Sequence, residues 1–280
     1  LTAGVQDFLA AHEDCYPRTK SAGAAVLYSY GSYYWRDSNK GSGANGMQDA
    51  CGTLLDATAA EWLDPDLKPV PFWDLIRAMS DINAQYDVVM LPDGFFRPDD
   101  FSPEQLAGYP LVIVPDCFTL TENQQEILLA YARGGGQVLA AGRLAEDTAL
   151  AEELSRTGNA VFVSLEGGRE EYVPRFMAAF EKAFAPVSPV ECRHEKAGVQ
   201  RYDREGKTWV HLLNYNYNEA ADRVEPLEKL EITLRNVSGN PTVLVPEGDP
   251  LPETEISRDG DLTRVTLRNA GLYTVLSFGT

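Results

Sequence analysis

The apolar positions of this chain follow two rules, one on each side of Ala185-Pro186-Val187-Ser188-Pro189. Before that stretch, continuous apolar runs alternate with segments of helical period; after it, short alternating runs take over. The clearest unit of the first part is Tyr109 to Arg143. Leu111-Val112-Ile113-Val114 is an unbroken apolar run, as in a parallel strand buried on both faces, and Pro115 and Asp116 are expected to end it. Thr121, three residues before Gln124, forms a capping-box start. Ile127, Leu128, Tyr131 and Ala132 share one helical face, Gly134-Gly135-Gly136 supplies a left-handed stop, and Val138 to Ala141 returns as the next strand.

The same rules predict the remaining elements. Val5 to Ala11 reads as a short helix, Ala24 to Ser29 as a first strand and Phe72 to Ile82 as an amphipathic helix. An aromatic run, Tyr30 to Trp35, leads into a polar, glycine-rich loop at 36–46, and a helix is expected over Met47 to Trp62. Asp87 to Leu91 is a strand, and Ser102-Pro103-Glu104-Gln105 starts a helix with Pro at its first position. Ala145 to Arg156 is a helix, Ala160 to Leu165 a fifth strand and Glu170 to Phe184 a closing helix. Five strands separated by helices predict a flavodoxin-like, doubly wound, mostly parallel sheet over 1–185.

From residue 186 onward the pattern changes to strands at 199–202, 208–214, 230–235, 242–245, 253–257, 262–267 and 272–278. Leu230, Ile232 and Leu234 alternate with Glu231, Thr233 and Arg235, the mark of a half-buried antiparallel strand. Turns are expected at Arg204 to Lys207 and Arg258 to Asp261. The prediction for 186–280 is a smaller antiparallel β-sandwich.

Charge and cysteine usage narrow the function. A formal charge of −18 opposes binding to nucleic acid or to an anionic membrane surface, and no apolar run is long enough for a membrane helix. The four cysteines show no paired spacing and the three histidines no ligand spacing, so neither a disulfide framework, a metal site nor a cofactor is expected. The chain opens on Leu1 without a signal-peptide core and reads as part of a longer or processed chain.

Ligands of open α/β sheets bind beyond the carboxyl ends of the strands. The residues expected there are Ser29, Tyr30, Asp93, Asp116, Cys117, Gly142 and Arg143. Cys117 is the one obvious nucleophile among them; it follows a strand and precedes a helix start, the kind of place where helix N–H groups can lower a thiol pKa, but no histidine stands at another strand end to serve as its base. Tyr30, Tyr33, Tyr34 and Trp35 are candidates for a ligand or an interface, since aromatic faces suit both. The pairs Asp99-Asp100 and Asp64/Asp66 lie in proline-rich loops rather than on facing rigid elements, as a glycosidase dyad requires. In the second part His211-Leu212-Leu213-Asn214-Tyr215-Asn216-Tyr217 stands out, with His211 out of phase with Leu212 and expected to be solvated or hydrogen-bonded.

The run Tyr109 to Pro115, the helix end Tyr131-Ala132-Arg133-Gly134-Gly135-Gly136 and the strand Gln137-Val138-Leu139 resemble the β-galactosidase trimerisation domain. That module is related to class I glutamine amidotransferases and follows the catalytic barrel in many glycoside hydrolases. Trp209 to Tyr215 and Gly271 to Leu276 resemble the β-sandwich that often ends such enzymes. The resemblance implies a non-catalytic role in oligomerisation or domain association. Its partners would be further copies of the chain or an upstream catalytic barrel of about 250 residues, beside a neighbouring carbohydrate site. In the amidotransferases the nucleophile ends the strand after the glycine stop; here that place holds Ala141-Gly142-Arg143, and Cys117 lies one strand earlier. The alternatives are an amidotransferase-like hydrolase using Cys117, which needs a lowered thiol pKa and a basic neighbour, and a carbohydrate-binding module.

Overall fold

A computed structural model describes residues 2–17, 21–34, 71–94, 97–145 and 148–279, without the side chains of Thr2, Ala3, Tyr33 and Tyr34. Trp35, the loop at 36–46, the helix expected over 47–62, Cys51 and the pair Asp64/Asp66 lie outside the described residues. The chain divides into two units: Gly23–Ala78 with Tyr86–Val187, and Leu1–Ala22 with Met79–Gln85 and Ser188–Thr280. The units thus differ from a single cut at 185/186, because the amino-terminal segment groups with the β-rich unit.

The α/β unit is built on a five-stranded parallel sheet: β1 (Ala24–Ser29), β2 (Tyr86–Leu91), β3 (Leu111–Cys117), β4 (Gln137–Leu144) and β5 (Ala160–Val163), in the order β2-β1-β3-β4-β5. The order reverses between β1 and β3, which places a doubly wound sheet's switch point there. α1 (Thr2–Ala11) belongs to the other unit. In this one, α2 (Tyr30–Tyr34) follows β1, most of α3 (Pro71–Asp81) precedes β2, and α4 (Glu122–Arg133) joins β3 to β4. α5 (Ala149–Thr157) joins β4 to β5, and α6 (Arg169–Phe184) closes the unit. β3 is buried at every position, as its unbroken apolar run requires. Ala25, Leu27, Val112, Val114, Val138 and Ala140 line one face of the sheet and pack with Ile127, Leu128 and Leu154 of the helices.

Thr121 caps α4 as expected: its hydroxyl accepts from Gln124 N at 3.2 Å, and Gln124 Oε1 accepts from Thr121 N at 3.3 Å. Three local expectations are corrected. β3 does not end at Pro115 but continues to Cys117, with a register shift at Asp116 against β4. Ser102-Pro103-Glu104-Gln105 makes its capping box but closes only a single 3-10 turn, because β3 begins at Leu111 and leaves no length for a helix. The helix expected from Ala145 starts at Ala149, since Ala145 has a φ of 53° and its N–H is bonded to Cys117 O.

The second unit is a two-sheet β-sandwich. One sheet has the order β13 (Glu253–Asp259), β14 (Leu262–Arg268), β11 (Leu230–Arg235), β6 (Val190–Glu191). The other has the order β12 (Thr242–Leu244), β15 (Tyr273–Phe278), β8 (Lys207–Asn214), β7 (Ala197–Arg204). A two-stranded ribbon, β9 (Tyr217–Asn218) with β10 (Arg223–Val224), follows β8. Leu230, Ile232, Leu234, Val265 and Leu267 meet Val199, Val210, Leu212, Leu276 and Phe278 in the core. The outer face of the second sheet is covered as well: Trp209 and Val275 cluster with Phe8 of α1 and with Cys15. Met79–Gln85 is stitched to this unit by side chains, Asn83 Nδ2 donating to Ala197 O at 3.0 Å and its Oδ1 accepting from Val199 N at 2.8 Å.

Candidate functional site

The carboxyl ends of β1, β3 and β4 bring together Ser29, Asp116, Cys117, Gly142 and Arg143, and the chain's own bonds occupy most of their chemistry. At the switch point Ser29 Oγ donates to Thr119 O at 2.9 Å. Ser32 Oγ donates to Ser29 Oγ at 2.8 Å, and Thr119 N donates to Ser32 Oγ at 2.8 Å. Both serines are buried. Ser32 and Thr119 escaped the sequence reading because they come together only through the β1–β3 pairing, and nothing local marks them.

Asp116 sits at φ 47° in the register shift of β3, buried. Arg143 grips it: Nε reaches Oδ1 at 3.0 Å, Nη2 reaches Oδ2 at 2.8 Å and the Arg143 N–H donates to Oδ1 at 3.0 Å. The guanidinium also lies 4.0 Å from the ring centre of Phe118, a stacked cation–π contact. Gly142 makes the arrangement fit. Its φ is 80°, and a Cβ there would stand 3.0 Å from Asp116 Oδ1. This is a paired, hydrogen-bonded carboxylate, a structural anchor rather than a free acid or base.

Cys117 is fully buried, its sulfur 3.5 Å from Pro115 O and 3.9 Å from Leu27 O. Burial pushes its thiol well above the ordinary range, which the nearby Asp116 carboxylate reinforces. A helix-activated thiolate needs the opposite shift and a base. The lowered pKa on which the Cys117 hydrolase reading depends is therefore corrected by the structure. The reason is that β3 runs on through Cys117 and turns the sulfur into the sheet.

Tyr30 and Asp93 lie on the β1–β2 side. Asp93 Oδ1 accepts from Arg97 N at 2.9 Å. Tyr30 borders a cleft of about 270 Å³ with Met90, Pro92, Arg97 and Asp100, and the Arg97 guanidinium stands 5.9 Å from its ring centre. Tyr33 and Tyr34 fall on the backbone of α2, with side chains outside the described set, and Trp35 lies outside it altogether. A larger groove, about 500 Å³, opens at the other end of the sheet between Leu106, Tyr109, Ile127, Tyr131 and the glycine stop, far from the strand ends that carry chemistry. Among the described residues no group of three His, Cys, Asp or Glu side chains is placed to hold a metal ion, and no helix is long and apolar enough to cross a membrane.

In the sandwich His211 is buried and doubly bonded: Nε2 is 2.8 Å from Cys15 O, and Nδ1 is 2.7 Å from the Tyr273 hydroxyl. A carbonyl can only accept, so Nε2 carries the proton and Nδ1 accepts from Tyr273. Tyr16 and Tyr273 share a further hydroxyl bond of 3.0 Å. Burial lowers the His211 pKa to about 4, with the Cys15 carbonyl opposing the shift. Of the two expectations for this residue, the hydrogen-bonded one holds, and the cover that buries it comes from the amino-terminal segment.

No family model and no curated protein matches this chain. Solved structures do. An α-L-fucosidase, isoenzyme 2, from Paenibacillus thiaminolyticus aligns over 97% of this chain and 51% of its own at 13% identity, with a TM-score of 0.57. A GH42 β-galactosidase from G. stearothermophilus aligns over 94% of this chain and 41% of its own at 12% identity, with a TM-score of 0.50. Its catalytic mutant gives 93%, 40%, 13% and 0.50. At such identities the likeness shows a shared fold. The chain spans about half the length of the fucosidase and about two fifths of the galactosidase.

Proposed function

We propose that this chain is a non-catalytic C-terminal portion of a glycoside hydrolase, and that its α/β unit serves association with further copies or with an upstream catalytic barrel. The observation that carries the association is at the two edges of the parallel sheet. β2 leaves Val88 and Met90 about half exposed on one face, and β5 leaves Val161 and Phe162 similarly exposed. Edge strands invite pairing, and soluble proteins commonly protect them with charge or cover. Apolar edges of this kind are suited to burial in an interface. The fold shared with a fucosidase and a galactosidase supports the glycoside hydrolase context. The closed strand-end chemistry supports a supporting rather than a catalytic role. The finer reading is a trimerisation-like domain of amidotransferase-like ancestry that helps shape a neighbouring carbohydrate site.

Sedimentation velocity tests the association. The wild-type chain should sediment above its monomer mass, and Val88→Lys with Met90→Lys, or Val161→Lys with Phe162→Lys, should return it to monomer while circular dichroism stays unchanged. A chain that is strictly monomeric, and that buries neither edge in the full-length parent protein, removes the reading.

A further inference from the structure

Beyond β8 the chain holds two tyrosines in water. Tyr215 is 59% exposed and Tyr217 53%, more than any other aromatic side chain among the described residues. Both are nonetheless fixed. The phenol end of Tyr215 lies over β7 at Gly198, where a Cβ would stand 2.8 Å from the hydroxyl and 2.9 Å from Cε2, so any larger residue would displace the ring. Tyr215 N donates to Lys196 O at 2.8 Å, and Tyr217 N donates to Tyr215 O at 2.7 Å. The Tyr217 hydroxyl donates to Asp222 Oδ1 at 2.6 Å. Between them the stretch is pinned by Asn214, whose Nδ2 donates to Glu225 O at 2.9 Å and whose Oδ1 accepts from Asn216 N at 2.8 Å.

We propose that Tyr215 and Tyr217 form a stacking platform for the pyranose rings of a neutral saccharide, with Lys196, Asn216 and Asn218 supplying hydrogen bonds at its rim. The chemistry of such a ligand matches what is on this surface. A pyranose offers an apolar C–H face to an aromatic ring and a rim of hydroxyls to amides and ammonium groups, and rings already held in place lose little entropy on contact. The rim is polar: Lys196 Nζ is 2.9 Å from Asn216 Oδ1, and Asn218 Nδ2 is 3.3 Å from Glu225 Oε1. Asp222 at the Tyr217 hydroxyl, on a chain of net charge −18, disfavours uronic or sulfated sugars, while Glu225 is paired with Arg223 at 2.8 Å. The inference rests on the proposed glycoside hydrolase context and adds a site on the sandwich.

The test is a titration of the full chain, followed by tyrosine ring resonances, with lactose, methyl α-L-fucopyranoside and a soluble neutral β-glucan, and with polygalacturonate as the acidic control. At least one neutral probe should shift the Tyr215 and Tyr217 signals, and polygalacturonate should not. Tyr215→Ala and Tyr217→Ala should each weaken that binding about tenfold or more, whereas Tyr217→Phe should retain it. No ring shift with any neutral probe overturns the proposal, as does equal binding by the double alanine variant. A double variant that alters the sedimentation coefficient but not saccharide binding overturns it too and assigns the patch to a protein contact. Because the edge-strand variants test association separately, a failed titration leaves that reading to stand or fall on its own result.

Discussion

The His211 imidazole reaches the carbonyl of Cys15, 2.8 Å from Nε2 and 196 residues away along the chain. That bond ties the turn after α1 to the outer face of the sandwich, while the bond that Nδ1 accepts from the Tyr273 hydroxyl at 2.7 Å requires a neutral ring. Tyr16, Tyr202 and Tyr273 pack around the imidazole.

Stability should therefore depend on pH through His211. The folded chain binds this proton only near pH 4, the unfolded chain near 6.5. Between those values the unfolded state holds more protons, so stability is full above about 6.5 and falls as pH drops toward 4, by about 3 kcal/mol. Urea denaturation across that range should show the slope. His211→Gln keeps a donor and an acceptor without titrating, and should flatten it.

Asp116 and Arg143 should respond unequally to truncation. Asp116→Ala removes the buried charge itself and leaves the 56% exposed Arg143 guanidinium to water, so it should cost about 1 kcal/mol or less. Arg143→Ala leaves the buried Asp116 carboxylate with a single backbone N–H of its three donors and should cost about 1–3 kcal/mol. A double-mutant cycle by chemical denaturation measures the difference.

Gly142→Ala should lower the melting temperature by forcing a side chain into positive φ and against Asp116. The left-handed conformation alone costs about 1–2 kcal/mol. Thermal unfolding followed by circular dichroism gives the value.

Arg201 is buried, donates to Pro189 O and Arg235 O at 2.7 Å each, and pairs with Asp203 at 2.9 Å. Its replacement by Ala leaves two carbonyls short of a donor, while the partly exposed Asp203 keeps Thr208 and Ser21, and should cost about 1–3 kcal/mol. Denaturant midpoints of wild type and variant check this.

The thiol of Cys117 should stay inert to iodoacetamide in the native protein near neutral pH and react only on unfolding, as its burial and raised pKa require. Mass spectrometry of peptides labelled with and without denaturant decides it. Native-state labelling at Cys117 would reopen the nucleophile reading.

Where the sequence was legible, the physics was local. The run Leu111 to Val114, the Thr121–Gln124 box and the alternation of Leu230, Ile232 and Leu234 each specify their element within a few residues. Ala24–Ser29 and Leu230–Arg235 have the bounds their patterns predict. The strand-end site was legible as a list of residues but not as chemistry, because Pro115 signals a strand end while the register shift at Asp116 carries the strand past it.

Hydrophobic period, caps and turn residues along this chain determine a parallel α/β sheet followed by antiparallel strands, since each acts over one or two turns of backbone. Only the tertiary structure decided that Ser29, Ser32 and Thr119 close the switch point, that Cys117 faces inward, and that the segment before Ala22 covers the sandwich. Those outcomes depend on pairs such as Cys15 and His211, whose burial and bonding exist only once distant strands have met.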